Sequence, residues 1–478
     1  MITFLNTVNV SNTPIDLAQL RTQAITLYRA GDLDAARLLL EQVVAGAPDD
    51  WEAWNMLGAL HGMQSSFAAC EACCRQVITL QPAAFSTYNN LGNALKFQGK
   101  FTEARQAYDT ALKINPHYPE ALNNLGNLER EQGAPGTARA LFLKALQLRP
   151  DYAQAHNNLG NTYRDEGDFE DAAIAYRKAV AANPGYPDAL INLGIICQLQ
   201  DNITEAIDCQ QRALAIAPKS LNAMFNLGTA LLIAGEVAQA EHCFTQVLAL
   251  DPAHTGAGYF LSTIRGESVP EQSPRDLVIN LFDSYAGTFD RHLVNDLGYS
   301  IPSQLFALYS DSAAPSRKLS ILDLGCGTGL SGEAFRATAC RMEGVDLSPR
   351  MIDKATARNI YDELHVADVL EIVSTRTRRY DLVVAADVFV YIGALANLFH
   401  AVRGVLNPDG CFCFSIERQD GEGAYSLRQS GRYAHSVVYI ETLAGAVGFR
   451  PLAMRPTVIR NERGTPIQGN IFILQADE

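Results

Sequence analysis

The run Ile321-Leu322-Asp323-Leu324-Gly325-Cys326-Gly327-Thr328-Gly329 is the most chemically suggestive in the chain. A short apolar stretch closes on an acid, and three glycines then alternate with other residues. Glycines there let the backbone bend tightly and approach a ligand lying across strand ends. A dinucleotide fingerprint wants a small residue three after Gly327, where Leu330 stands, and does not require Asp323. A carboxylate beside the bend suits a cationic ligand better than a pyrophosphate. Asp346 ends Gly344-Val345-Asp346, where an acid can accept hydrogen bonds from ribose hydroxyls. Asp368, in Ala367-Asp368-Val369, can meet an adenine amine, and Asp387 closes Tyr380–Asp387. Later, Arg432, Tyr433 and His435 offer a cation, a phenol and an imidazole. Arg432 could fix a carboxylate and His435 could take a proton, although such a loop is as often structural. Tyr391 and Glu417 are further candidates near strand ends.

These residues need a scaffold of alternating strands and helices. Leu319–Leu324, Met342–Val345, Leu364–Val366, Leu382–Ala385 and Cys411–Ile416 read as short strands, separated by helical segments such as Pro349–Arg358 and Leu395–Val405. That alternation predicts a parallel α/β sheet, with Asn407-Pro408-Asp409-Gly410 as the turn into the fifth strand. S-adenosylmethionine, with its ammonium and sulfonium, is a cationic ligand that suits the acid-flanked bend. In this order the motifs closely resemble the class I S-adenosylmethionine-dependent methyltransferases, of the type 11/12 kind, over residues 277–478. The resemblance implies that Asp323, Gly325, Gly327 and Gly329 cradle the methionine part, Asp346 the ribose, and Asp368 with Val369 the adenine. It places Asp387 near the methyl group. Phe282–Asp290 looks like the N-terminal lid of small-substrate and quinone methyltransferases, with Tyr285 and Phe289 facing the sulfonium or packing as core.

The first half is a repeat. Asn-Leu-Gly recurs with its glycine at Gly92, Gly126, Gly160, Gly194 and Gly228, a step of 34 that extends back to Gly58 and Ala24. Ala104, Ala138 and Ala172 keep a second register, and Pro116, Pro150 and Pro184 a third. Small residues let antiparallel helices approach, and proline ends the second helix of each unit. The pattern resembles the tetratricopeptide repeat, seven units with a capping helix over residues 17–265. In that frame Cys70 and Cys74 fall on core positions rather than metal or redox positions. A second ladder, Asn90, Asn124, Asn158, Asn192 and Asn226, occupies one slot of the first helices, preceded in three units by Asn89, Asn123 and Asn157. An amide can donate and accept toward an extended peptide backbone. The ladder resembles that of O-linked N-acetylglucosamine transferase, which implies a peptide groove from about the third repeat to the seventh. Inert inheritance of an ancestral asparagine is the alternative.

The whole reads as a multidomain chain, an all-α tetratricopeptide-repeat solenoid followed by an α/β Rossmann-like methyltransferase domain. An N-terminal extension (1–16) precedes the repeats (17–265), and a linker (266–276) leads to the catalytic fold (277–478). Lys and Arg number 38 against 52 Asp and Glu, a net charge of −14 shared by both halves, which argues against nucleic acid or an anionic membrane as partner. No apolar run spans a bilayer, no leader is evident, and Cys70, Cys73 and Cys74 lack a pair to complete a zinc site. A cytoplasmic, metal-free enzyme is expected. Three functions stand: a methyltransferase acting on a protein or peptide held by the repeats, a small-molecule methyltransferase with repeats for docking, and a catalytically silent scaffold.

Overall fold

The computed structural model describes residues 16–266, 269–287, 289–290, 293, 298–313, 317–421, 423–428, 430–462 and 465–477, without the side chains of Ser284 and Tyr285. The extension 1–15 lies outside them. Two compact units form, one ending at Thr162 and taking in Ala181–Asn183, the other holding Tyr163–Val180 and everything from Pro184 onward.

In the first unit, helices pair as the repeat predicts: Leu17–Ala30 with Leu33–Gly46, Trp51–Met63 with Phe67–Leu80, Phe85–Phe97 with Phe101–Ile114, and Pro119–Glu131 with Pro135–Leu148. The recurring glycine has a steric reason. A Cβ at Gly92 would lie 2.5 Å from the ring of Tyr108, and one at Gly126 would lie 2.7 Å from Phe142. Gly92 and Gly126 are each the socket for a fully buried ring sixteen residues later, while Gly58 packs on Cys73 and Cys74. Cys70, Cys73 and Cys74 are buried in the second pair, as core packing requires.

In the second unit, Pro187–Leu199 with Ile203–Ile216 and Leu221–Ile233 with Val237–Leu250 continue the array, and Thr255–Arg265 caps it. A Cβ at Gly228 would lie 2.7 Å from the Phe244 ring. The α/β domain follows. Its strands are β1 (Leu319–Leu324), β2 (Ala339–Asp346), β3 (Glu363–Val366), β4 (Tyr380–Ala385), β5 (Leu406–Glu417), β6 (Tyr425–Leu427), β7 (Tyr433–His435), β8 (Phe449–Glu462) and β9 (Thr465–Ala476). Seven build one sheet in the order β3-β2-β1-β4-β5-β9-β8, and β6 and β7 form a separate hairpin. Alternate residues face opposite layers: Leu322, Val383, Phe412 and Phe414 join one core, Ile321, Leu382, Cys411 and Cys413 the other. Double-sided burial explains why these strands read as continuous apolar runs.

Two expectations need correction. The sheet is parallel only from β3 to β5; β9 runs antiparallel to β5 and β8 antiparallel to β9. β8 carries Arg450, Pro451, Arg455, Pro456 and Arg460, the charged and proline-rich composition of an edge strand, which hides its strand character. The turn Asn407–Gly410 lies within β5 as a bulge: pairing jumps from Tyr380 with Leu406 to Leu382 with Cys411, and Asp409 takes a φ of 60°.

Candidate functional site

The strand order reverses direction between β1 and β4, and a crevice opens at their carboxyl ends. A cavity of about 260 Å³ lies there. Gly325, Gly327, Asp346, Asp368, Val369 and Asp387 contribute to its wall, as do Phe289 and Arg432. Most of the acids and glycines singled out by spacing are therefore brought together. Gly325 and Gly327 hold φ of 63° and 53°, the left-handed region that only glycine enters freely, and a Cβ on Gly325 would stand 2.6 Å from Val388. Gly329, at φ 103°, starts the helix Leu330–Phe335 and is absent from the cavity wall.

Asp346 accepts the backbone N–H of Gly327 at 2.8 Å and of Ser348 at 2.9 Å, so β2 and the glycine bend are tied together. Burial pushes its carboxyl up to about 6 against those two donors. Asp323 lies behind the bend, 1% exposed, taking the Tyr361 hydroxyl at 2.6 Å on one oxygen. Its other oxygen is buried without a partner among the described residues, and burial raises the group to about 7. Asp368 caps the helix Val369–Thr375 through one oxygen, at 2.9 and 3.2 Å from the N–H groups of Leu370 and Glu371. Asp387 has a φ of 59° and pairs with Arg460.

The lid segment closes over the bend. Phe282 and Phe289 meet edge to face at 5.9 Å and both reach the cavity, while Asp290 receives the Thr328 hydroxyl and the Arg358 guanidinium. Tyr285 ends the helix Arg275–Tyr285, and its side chain lies outside the described residues.

The expected catalytic trio divides. Arg432 reaches the cavity and pairs with Glu462. Tyr433 and His435 do not reach it, which corrects the expectation that they act on an acceptor. Both are fully buried on β7: Tyr433 donates to the Pro270 carbonyl at 2.7 Å, and His435 Nε2 lies 2.9 and 3.1 Å from the carbonyls of Ile392 and Gly393. Burial pushes the imidazole down to about 4, so it is neutral and structural. Tyr391 does line the cavity; Glu417 is buried behind it, paired with Arg428 and Arg460.

The linker also differs from expectation. Gln272 bridges Ile392, Ser273 N–H donates to the Tyr391 carbonyl at 2.9 Å, and the Glu271 carbonyl accepts from Gly393 and Ala394. Glu271, Gln272 and Ser273 are thus part of the cavity wall. Prolines before and after remove donors but leave carbonyls to accept, so a sequence with linker composition is built into the site. Tyr259 of the capping helix bonds Ser273 and the Gly431 carbonyl, each at 3.0 Å. Tyr299 and Arg460 line the cavity too, and no spacing rule singled them out.

Among the repeats, Asn124 donates to Asn89 at 3.0 Å and Asn158 to Asn123 at 2.8 Å, so part of the ladder links successive repeats. A groove of about 500 Å³ lies over the second to fourth repeats, floored by Asn90, Asn93, Asn124 and Asn127 and edged by Met63 and Phe97. Met63, Phe67 and Phe97 give it an apolar edge. Asn158, Asn192 and Asn226 are not among its lining residues. In the second unit Asn192 accepts from Arg164 at 3.5 Å.

The sheet order, the glycine bend and the acids at the strand ends define a Rossmann-like methyltransferase fold that follows the tetratricopeptide repeats in the sequence. Comparison with known proteins agrees. A family described as methyltransferase domain matches residues 321–410, and tetratricopeptide-repeat families match 21–83, 89–153, 153–186 and 186–253. The chain joins tetratricopeptide repeats to a methyltransferase domain. Relatives include a ubiquinone biosynthesis O-methyltransferase of Bordetella pertussis, 24% identical over 33% of this chain and 70% of that protein. A thiol S-methyltransferase of Homo sapiens is 28% identical over 26% of this chain, which spans about half of that protein (52%). Among solved structures, the Cut9–Hcn1 hetero-tetramer of APC/C aligns with a TM-score of 0.45 at 17% identity, over 52% of this chain and 49% of that one. No described helix is long and apolar enough to cross a membrane.

Proposed function

We propose that the chain is an S-adenosylmethionine-dependent methyltransferase whose repeats hold a protein or peptide acceptor. The observation that carries the donor assignment is the crevice itself: a bend of three glycines at positive φ, with no room for a Cβ on Gly325, flanked by Asp346 and by an Asp323 oxygen that has no partner among the described residues. These groups fit a ligand rich in donors and positive charge. When bound, S-adenosylmethionine supplies a methyl group on a sulfonium that leaves as a neutral thioether. The protein's part is to orient and to exclude water. Asp346 would accept the ribose hydroxyls, and the second oxygen of Asp368 an adenine amine beside Val369. Gly325, Gly327 and Gly329 shape the bend around the methionine part, with Asp323 behind it. Asp387 faces the methyl end, and Phe289 covers it; Tyr285, whose side chain lies outside the described residues, is proposed to join it. Arg432 remains as an acceptor-side group. Nine of ten cysteines are buried as small apolar side chains, which supports a reducing, cytoplasmic setting.

The groove over the second to fourth repeats supports the peptide reading, because amides and an apolar edge together match an extended backbone with an apolar side chain. Small-molecule methylation is the second reading, favoured by the activities named for the relatives. Transfer of labelled methyl from S-adenosylmethionine into cell extract separates them. Label in protein is the result the first reading requires; label only in extractable small molecules would favour the second.

A further inference from the structure

Arg460 comes from β8, at the edge of the sheet, yet its side chain is 1% exposed. Its guanidinium is divided among three carboxylates. Nη1 reaches both oxygens of Asp387, at 3.2 and 3.3 Å; Nε reaches Glu462 at 2.7 Å; Nη2 donates to Glu417. Glu417, as buried as Arg460, takes Arg428 on its other oxygen at 2.7 Å, and Glu462 takes Arg432. Such a cluster is a poor source of stability, because desolvation offsets most of the Coulomb attraction. What it achieves is geometric.

Asp387 is held from two strands at once. Its backbone is left-handed at φ 59°, a conformation that few residue types besides glycine, asparagine and aspartate adopt readily. Its N–H donates to Ser415 Oγ of β5 at 2.8 Å, while Arg460 of β8 grips the carboxylate. The next residue, Val388, fills the space that a Cβ on Gly325 would take, so Asp387 is anchored beside the glycine bend. Of the three carboxylates on Arg460, Asp387 alone lines the cavity. The compensating Arg428 and Arg432 stand on the wetter side, 35% and 25% exposed. Asp387 thus brings a carboxylate of the cluster to the cavity wall, beside the Arg432 and Arg460 side chains that line it as well.

We propose that Arg460 is a positioning residue that fixes the Asp387 carboxylate so that the crevice reads the positive charge of the methyl donor. This rests on the S-adenosylmethionine assignment above. S-adenosylhomocysteine shares every other group but lacks the methyl and the sulfonium charge, so the two ligands isolate that one feature.

The test is titration calorimetry of the full-length protein with each ligand separately. Arg460→Met is expected to weaken S-adenosylmethionine about fivefold more than S-adenosylhomocysteine. Asp387→Asn should reproduce that shift. Arg460→Lys should recover part of it, because an ammonium can face Asp387 but cannot span three carboxylates. A purely structural role would lower the melting temperature or weaken both ligands together, leaving their ratio unmoved. A ratio within about twofold of wild type in folded Arg460→Met overturns the proposal. If that variant does not fold, Asp387→Asn decides by the same criterion. A wild-type protein that binds neither ligand would instead overturn the methyl-donor assignment on which the proposal stands.

Discussion

Asp346 is a carboxylate that burial opposes and two backbone donors support, and burial wins: the group rises to about 6. Relative to the unfolded chain, its proton stabilises the fold; that contribution is complete below about pH 4 and disappears as the pH rises through about 6. Wild type is therefore expected to gain melting temperature relative to Asp346→Asn as the pH falls from about 7 toward 4. Affinity for S-adenosylmethionine should move the other way, weakening below pH 6 as the hydrogen-bond acceptor is lost. A melting difference independent of pH would contradict the assignment. His435 makes the complementary case. Its ring satisfies two carbonyls and faces no cavity, so His435→Ala should cost about 1–3 kcal/mol of stability while S-adenosylhomocysteine affinity stays near wild type. Loss of methyl transfer without loss of stability would restore a catalytic role. The sequence shows Tyr433 and His435 as reactive types in one loop, but hydrogen-bond direction is a tertiary property and no spacing reveals it.

At the scale of elements, the repeat glycines and their rings show two opposing effects. Gly126→Ala adds about 1 kcal/mol of helix propensity but forces a Cβ against the buried Phe142 ring, and overpacking of that kind costs about 1–3 kcal/mol. Phe142 is fully buried, so the variant is expected to unfold at lower urea concentration than wild type. Higher stability would mean that the ring can move. The repeat was fully legible because three registers over 34 residues have one steric solution. β1, β2, β4 and β5 were legible because their cores are buried on both faces, giving apolar runs, whereas the short, half-exposed β3 was read from Leu364 and Val366 alone. β8 and β9 were not: an edge strand with prolines and arginines carries no such signal, and Arg460 went unseen with it.

For the molecule as a whole, Glu271–Ser273 looks like a spacer by composition and serves as a wall of the cavity. Backbone carbonyls do that work, and composition cannot display them. The groove is similar: the asparagine ladder was visible, but its position depends on Met63 and Phe97, largely exposed at 57% and 63%. Changing both to Asp should leave the fold and S-adenosylhomocysteine binding unchanged and abolish capture of a peptide acceptor. Undiminished labelling of protein by that double variant would remove the groove from the account.

The central claim is that an acid-flanked glycine bend at the mouth of β1 and β4 holds S-adenosylmethionine. Equilibrium dialysis of the full-length protein against the labelled donor, with NADH as competitor, tests it directly. Saturable binding of about one donor per chain is expected, undisturbed by NADH and weakened about 10- to 100-fold in Asp346→Ala. Absence of binding, displacement by NADH, or wild-type affinity in Asp346→Ala would contradict it.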